Sequence, residues 1–304
     1  MKHRGISVFV FFLFFPGVFV LFAETPLERV GRLEKQLPDA SPHERLNIIL
    51  EIMKIQPLIK TEPERIVQLG NQGLKIVDQL GDSCARGTVL VHQSLGYWYS
   101  GQRDSALQAL DEAETILQKC GDRRGLVDAR IRLGLISHVD LKLKEALKIF
   151  LDALTLSREI GDEQRTAESL YWIGIVHHGL KNYETAFDFY TKALSTARHA
   201  KDIKTEALVY NNLGLYYSLK KKHRQALDYF QKSLSLFRTL EDDYFISSLT
   251  YNIGNLYNTL GKMDMSTRFI KESLDYTRRI GDEILSAVRL NSLARIEWKL
   301  RNFR

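Results

Sequence analysis

Histidines at matching positions of a repeated pattern are the side chains whose spacing comes closest to a metal site. His138 and His178 occupy equivalent positions in consecutive units, and His177 precedes the second of them. A metal ion needs further ligands at fixed distances, and no cysteine or carboxylate cluster accompanies this pair. The pattern therefore predicts structural or surface histidines, with no metal and no cofactor.

Enzyme signatures are absent from the sequence as well. It contains no glycine loop that would cradle a phosphate, no G-x-S-x-G nucleophile elbow and no H-E-x-x-H zinc motif. Acidic residues recur at repeat spacing on expected helix surfaces rather than as a converging pair. We therefore predict a chain without catalytic residues, and a catalytic domain beyond residue 304 stays an open alternative.

Charge gives little indication of a nucleic-acid partner. The formal net charge is +6 over 304 residues, and the densest basic cluster, residues 220–224, falls at an expected turn between helices. No aromatic stacking residues or nucleic-acid motif accompany this cluster. It is therefore interpreted as a solvated turn, and nucleic acid is not an expected partner.

The elements that carry these residues repeat along the chain. Gly-Asp pairs recur at a constant step, at 81–82, 121–122, 161–162 and again at 281–282. Small residues keep the same step inside each unit: Ser94, Gly134, Gly174, Gly214, Gly254 and Ala294 form one series, and Ala106, Ala146, Ala186, Ala226 and Ser266 form another. No proline follows Pro63, so the rest of the chain can form uninterrupted helices.

The small residues have a physical explanation in pairs of antiparallel helices. Two helices approach closely only where the side chains at their crossing are nearly absent. We therefore predict that residues such as Gly134 and Ala146 meet inside one hairpin, while Ala153 accepts the first helix of the next hairpin. Glycine tolerates the left-handed conformation that ends a helix, and the following aspartate caps the next helix.

A more specific pattern lies in the later units. Residues 210–217 read Tyr-Asn-Asn-Leu-Gly-Leu-Tyr-Tyr, with Gln225-Ala226-Leu227 and Phe230 following, and residues 251–257 are a near copy. The pattern resembles the tetratricopeptide repeat family in its longer 40-residue variant, seen in kinesin light chains and bacterial sensor regions. The resemblance covers about residues 41–304. It implies an all-α, right-handed superhelical solenoid of antiparallel helix hairpins, whose first helices line a concave groove for a protein or peptide segment.

The period divides the chain into units. Residues 1–23 form a signal peptide or anchor, and residues 24–41 form a short helix and linker. A degenerate first hairpin is expected at 42–80, with Pro57 and Pro63 bracketing its turn. Clearer hairpins are expected at 83–120, 123–160, 163–200, 203–240 and 243–280, followed by a final helix at 283–304.

The resemblance also implies candidate binding residues. In long-repeat members, an asparagine two residues before the small position holds the backbone of an extended peptide, and Asn212 and Asn252 match that position. An amide suits this role because it offers both a donor and an acceptor. Earlier units carry basic or aromatic residues there, which favours an acidic or aromatic-bearing peptide. The full set of groove candidates is His92, Arg132, Trp172, Asn211, Asn212, Asn252, Asn255 and Asn258. Local hydrogen bonding of Asn212 and Asn252 between hairpins is the open alternative.

Two cysteines occupy the two ends of one expected hairpin. Cys84 opens its first helix, and Cys120 closes its second. Antiparallel helices bring these ends together, so a disulfide is geometrically feasible. The alternative is that Cys120 is a buried apolar residue, since Leu80, Ile160 and Leu240 fill equivalent positions.

The N-terminus has the features of an export signal. A basic Met1–Arg4 segment precedes an uncharged, phenylalanine-rich run at residues 6–22, and Ala23 ends that run. This order is typical of a secretory signal peptide. An uncleaved segment of this length is also long enough to tether the protein to a membrane. Either alternative predicts that the repeats face the bacterial periplasm.

Two functions remain open on this evidence. The first is a non-catalytic, extracytoplasmic scaffold that holds a protein or peptide in its groove. The second is the sensory region of a bacterial membrane signalling protein whose output domain, a diguanylate cyclase or a histidine kinase, lies beyond residue 304. The last helix has an apolar face formed by Leu285, Val288, Leu293, Ile296 and Leu300. That face predicts a further segment, a partner or self-association with another copy.

Overall fold

The computed structural model describes residues 26–302, so the predicted export signal lies outside the described residues. Within that range the chain forms fifteen α-helices and no strand. The bounds of the first four helices are α1 Pro26–Gln36, α2 Pro42–Met53, α3 Gln56–Thr61 and α4 Pro63–Leu80. The bounds of the next six are α5 Ser83–Tyr99, α6 Arg103–Cys120, α7 Arg123–Val139, α8 Leu143–Glu159, α9 Glu163–Gly179 and α10 Tyr183–His199. The last five are α11 Ile203–Leu219, α12 His223–Thr239, α13 Asp243–Thr259, α14 Met263–Arg279 and α15 Glu283–Asn302.

Left-handed residues and aspartate caps separate one hairpin from the next. Gly121 has a φ of 77° and Gly161 a φ of 66°, while Lys201 and Glu241 adopt the same conformation without the freedom of glycine. The aspartate that follows each of them accepts a hydrogen bond from the backbone N–H three residues later. These bonds measure 2.9–3.2 Å and involve Asp122, Asp162, Asp202 and Asp242. Each new helix therefore starts with one of its free N–H groups satisfied.

The turns inside the hairpins contain left-handed residues too, at Gly101, Leu141, Lys181, Lys221 and Gly261. Together with the boundary residues, they place a positive φ at evenly spaced positions from 81 to 281. The prediction from Gly-Asp pairs identified only the boundary positions of this series. The turn positions are less visible in the sequence because three of their five residues are not glycine.

Close helix contacts inside each hairpin occur at the predicted glycines. A Cβ atom added to Gly134 would lie 2.6 Å from the ring of Phe150, and one added to Gly214 would lie 2.6 Å from the ring of Phe230. Gly174 has the same relation to Tyr190. Each of these glycines therefore receives a large side chain from the second helix of its hairpin, and no other residue leaves room for it.

The N-terminal segment departs from the expected single hairpin at 42–80. It contains the additional helix α3, and Pro57 lies inside that helix rather than at the edge of a turn. The N–H groups in the first turn of a helix have no intrahelical acceptor, so a proline there removes no hydrogen bond. Pro63 likewise begins α4. Segment 42–80 is therefore a three-helix unit.

Apolar packing is continuous along the array. One cluster of buried side chains runs from Leu90 in α5 to Tyr257 in α13, and a second one joins α1–α5. The hairpin α5–α6 has an additional covalent connection, because Cys84 and Cys120 form a disulfide with their Cα atoms 5.8 Å apart. The stack therefore buries its core between neighbouring hairpins rather than around one centre.

The last helix is covered on one face only. Leu293 and Ile296 are buried against α14, whereas Ile284 is 79% exposed and Leu290 is 48% exposed. Val288, which the sequence places on the apolar face, is 42% exposed. Ala294 occupies the position of the glycines that receive a side chain from the following helix in earlier units. Helix α15 thus presents a partly apolar surface.

Candidate functional site

A groove of about 1590 Å³ runs along the first helices of the hairpins. Its lining residues come mainly from α5, α7, α9, α11 and α13, with contributions from Lys54 and Ile59 near α3 at one end. These helices face it because the second helix of each hairpin packs on the opposite side. The groove is therefore a product of the stacking and not of any single unit.

His92, Arg132 and Trp172 line this groove on three successive first helices. Burial lowers the pKa of His92 to about 3, and the cations Lys54, Arg132 and Arg165 act in the same direction. A histidine in this state is neutral at physiological pH. The expected basic and aromatic surface therefore exists, but its histidine carries no charge.

Trp172 is held by aromatic neighbours. Its ring lies parallel to Phe150 with the centroids 5.9 Å apart, and Tyr171 meets it edge-on at 4.9 Å. Its Nε1 donor has no hydrogen-bond partner among the described residues. That nitrogen is buried, so the part of Trp172 that an occupant could meet is its ring, and a rigidly held aromatic ring is the type of anchor that interfaces use.

Ion pairs connect α7 and α9 on the floor of the groove. Arg165 donates from Nε to Oδ1 of Asp128 at 2.8 Å and from Nη1 to Oδ2 of Asp162 at 2.9 Å. Arg132 Nη1 lies 3.6 Å from Oε1 of Glu168. Because these side chains are 27% exposed or less, each charge needs its partner to offset the cost of desolvation.

The asparagines occupy a different environment, which corrects the expectation for Asn212. Asn212 is only 6% exposed, and its Nδ2 donates to Tyr171 Oη at 3.3 Å and to the Leu208 carbonyl at 3.0 Å. Its amide is therefore used between and within hairpins. Asn252 is half-buried and donates from Nδ2 to Oδ1 of Asn211 at 3.3 Å. Local hydrogen bonding, the alternative left open by the sequence, describes both contacts.

The remaining asparagines also lie outside the groove lining. Asn211, Asn255 and Asn258 are half-buried, and none of them borders the cavity. The groove reaches only Lys204, Thr205 and Leu208 on α11, in the turns before Asn212. The repeat position occupied by His92, Arg132 and Trp172 therefore faces the groove, whereas the same position in the next two units, occupied by Asn212 and Asn252, does not.

Several lining residues were not among those predicted from the sequence. Lys204 lies on α11, Tyr99 ends α5 and Tyr244 is near the start of α13. Lys204 shares its position in the repeat with Arg124 and Tyr244, two turns before the predicted asparagine position. This series could have been found from the sequence by also considering the residues one and two turns before the asparagine position, because residues at those spacings lie on one side of a helix.

The histidines noted in the sequence have aromatic neighbours. His177 stacks on Phe189 at 5.4 Å, and His178 meets Tyr183 edge-on at 5.2 Å. Burial lowers the pKa of both histidines and of His138. Between residues 26 and 302, no group of three or more His, Cys, Asp or Glu side chains is placed to hold a metal ion. No helix in that range is long and apolar enough to cross a membrane.

The class of protein follows from these observations: the chain is an all-α solenoid of repeated helix hairpins with a groove along its first helices. A family profile described as Tetratricopeptide repeat matches residues 125–199 and 165–239. Residues 125–239 are accordingly tetratricopeptide repeats, as the sequence pattern predicts. A comparison with the curated proteins found no match.

Solved structures share this fold at low sequence identity. BtubC (BKLC) from P. vanneervenii is 19% identical with a TM-score of 0.58, and the alignment covers 73% of this chain and 93% of that one. A signal-transduction ATPase with a tetratricopeptide repeat sensor from Pyrococcus horikoshii is 18% identical with a TM-score of 0.59, covering 90% and 47% of the two chains. A Rap protein complexed with Competence and Sporulation Factor is 12% identical with a TM-score of 0.60, covering 90% and 80%. At these identities the likeness concerns the fold.

Proposed function

We propose that this protein is a non-catalytic scaffold that holds an extended segment of a partner protein in the groove along α5–α13, outside the cytoplasm. The observation that carries the proposal is the groove itself, with the rigid indole ring of Trp172 on its wall. Concave, partly apolar surfaces with a few polar groups are where proteins bind ligands. The related fold of the Rap protein with its bound factor adds support by analogy.

Export is part of the same proposal. The sequence of residues 1–23 has the order of a signal peptide, with a basic start and an apolar centre. The disulfide between Cys84 and Cys120 supports an oxidising compartment, because cytosolic thiols are kept reduced. Labelling of the intact cell with a reagent that does not cross the inner membrane tests this point. Modification of surface lysines such as Lys232 only after cell lysis would contradict export.

The binding surface is tested by a substitution that keeps an aromatic side chain but makes it smaller. We expect Trp172→Phe to weaken capture of the natural partner by about tenfold, since the smaller phenyl ring gives up apolar contact worth about 1–2 kcal/mol. The measurement is quantitative capture from an extract of the exported compartment, with unfolding by urea as the control for folding. Lys232→Ala is the matched variant, because Lys232 lies outside the groove lining on α12, where it pairs with exposed Asp228 and lies over the ring of Tyr229. Equal capture by wild type and Trp172→Phe would reject the groove as the site.

We also propose, as a second candidate, that the array is the sensory region of a membrane signalling protein. The specific observation is the exposed apolar surface of α15, with Ile284, Val288 and Leu290 between 42% and 79% exposed. A repeat array normally ends in a polar face, so such a surface favours a further covering segment. Reading the coding sequence beyond Arg304 tests this candidate. A stop codon there contradicts it, and a membrane span followed by an output domain supports it.

A further inference from the structure

The groove has two walls of opposite charge. The basic wall, formed by lining residues up to α11, carries five cations, Lys54, Arg124, Arg132, Arg165 and Lys204, and three carboxylates, Asp122, Asp128 and Glu168. The acidic wall, formed by the C-terminal ends of α12 and α14 and the starts of α13 and α15, carries four carboxylates, Glu241, Asp242, Asp243 and Asp282, and two cations, Arg238 and Arg279. An occupant of the groove meets both walls.

Much of the charge on each wall is already neutralised within the wall. On the basic wall, Asp128 and Glu168 pair with Arg165 and Arg132. On the acidic wall, Asp243 Oδ2 lies 3.6 Å from Nη1 of Arg279. Lys204 and Glu241 have no ion-pair partner within 4.0 Å among the described residues. Among the described lining residues, the cations without an ion-pair partner, Lys54 and Lys204, both lie on the basic wall. Three of the four carboxylates without one, Glu241, Asp242 and Asp282, lie on the acidic wall, and the fourth, Asp122, caps α7.

The two walls are near enough to act on the same groups. Burial raises the pKa of Tyr99, which ends α5, and Arg132 on the basic wall and Tyr244 and Asp242 on the acidic wall also act on its hydroxyl. Burial lowers the pKa of Lys204, and the carboxylates of Glu168 and Asp242, from two different parts of the array, act in the opposite direction. Tyr99 and Tyr244 are far apart in the sequence but border the same cavity. The array therefore curves enough to bring its early and late hairpins together.

An extended polypeptide matches two such walls in a specific way. Successive side chains of an extended chain point to opposite sides. A segment lying along the groove would thus present one set of alternate residues to the basic wall and the other set to the acidic wall. Acidic residues are favoured on the first side and basic residues on the second, since like charges facing each other cost affinity.

We propose that the groove selects an extended segment in which acidic and basic residues alternate. This inference rests on the proposed function, because it names the chemistry of the segment that the groove would hold. A uniformly acidic segment would satisfy the basic wall and be repelled by the acidic one.

Synthetic peptides of about twelve residues, extending over roughly 40 Å, test the proposal. One peptide alternates Glu and Lys, a second has the same composition arranged as a block of Glu followed by a block of Lys, and a third is all Glu. Binding to the full chain with its disulfide intact is measured by fluorescence anisotropy. We expect the alternating peptide to bind at least about tenfold more tightly than the other two, with an affinity that falls as salt is raised.

Charge reversal on each wall locates the effect. Lys204→Glu and Glu241→Lys should each weaken binding of the alternating peptide by about tenfold, whereas Lys232→Glu, away from the groove, should leave it unchanged. Equal binding of the alternating and blocked peptides, or no binding of either, overturns the proposed alternation. The proposed function fails separately: it falls if the groove variant Trp172→Phe captures the natural partner as well as the wild type does.

Discussion

Hairpins α5–α6 and α11–α12 share the same register but are closed in different ways. In α11–α12, Gly214 lies under the buried ring of Phe230, so close that no Cβ atom would fit. In α5–α6, Ser94 stands where Gly214 would be, and the smaller Leu110 stands in place of Phe230. The disulfide between Cys84 and Cys120 joins the ends of that hairpin instead. A repeat thus keeps its backbone geometry while the interaction that closes it changes.

The same two hairpins differ at the position two residues before the small residue. His92 faces the groove from α5, while Asn212, at the equivalent position of α11, is buried and bonded to Tyr171. The register sets the direction of a side chain, but the neighbouring hairpin decides whether that side chain is exposed. Four substitutions or changes of condition test this comparison, from the largest expected effect to the smallest.

Removal of the disulfide should produce the largest change. We expect Cys84→Ser together with Cys120→Ser to lower the free energy of unfolding by about 3–4 kcal/mol, because the bond closes a loop between residues 36 apart. Urea unfolding measures the loss. The wild-type chain unfolded in reducing buffer is the control and should match the double variant. A loss below about 1 kcal/mol would show that α5–α6 is closed by its apolar contacts alone.

Acid should affect α5 through His92. The pKa of His92 is lowered to about 3 in the folded chain from about 6.5 when unfolded, so the unfolded state binds the proton more readily. The free energy of unfolding should therefore fall by up to about 1.4 kcal/mol per pH unit as pH drops from about 6.5 to about 5, a total of roughly 2 kcal/mol. His92→Asn, which copies the residue of α11, should remove this component. Identical pH profiles for the variant and the wild type would contradict the burial of His92.

Filling the glycine position should distinguish the two hairpins further. Gly214→Ala places a Cβ atom 2.6 Å from the Phe230 ring, and we expect a net loss of about 1–2 kcal/mol despite the better helix propensity of alanine. Gly31→Ala is the control, because a Cβ atom there meets nothing within 4 Å and should stabilise α1 by about 0.5–1 kcal/mol. Thermal unfolding measures both. A stabilised Gly214→Ala variant would disprove the close contact.

The smallest effect concerns Asn212. Asn212→Ala removes the hydrogen bonds to Tyr171 and Leu208, and we expect a loss of about 1 kcal/mol in stability with no change in partner capture. The sequence alone suggests the opposite outcome, in which capture weakens and melting is unchanged. Measuring both quantities on one variant decides between them. Weaker capture at unchanged stability would restore Asn212 as a binding residue.

Much of the fold could be predicted from the sequence, because individual residues of one type recur at the same position of successive units. The glycines that receive Phe150, Tyr190 and Phe230 have no substitute in such close contacts, so they recur visibly in three successive units. The N-terminal segment was harder to predict. Pro57 is compatible both with a turn and with the first turn of a helix, and it lies in α3.

The candidate site could be predicted only in part. Arg132 and Trp172 were identified because they share a position with the asparagines of later units, and both border the groove. Lys204 and Tyr244 were missed because their part of the helix face carries no repeated residue type. Similarity between units indicates which side of each helix faces the groove, whereas the residues that line the groove are the ones that vary.

By itself, the sequence determined the helical class, the repeat period and the contacts inside each hairpin, because these depend on residues close together in the chain. The charge of the two groove walls and the burial of Asn212 were decided by tertiary structure. Both depend on how far the stack curves, since this brings Tyr99 and Tyr244 to one cavity. Curvature is the sum of small rotations at every interface between hairpins, and no single residue specifies it.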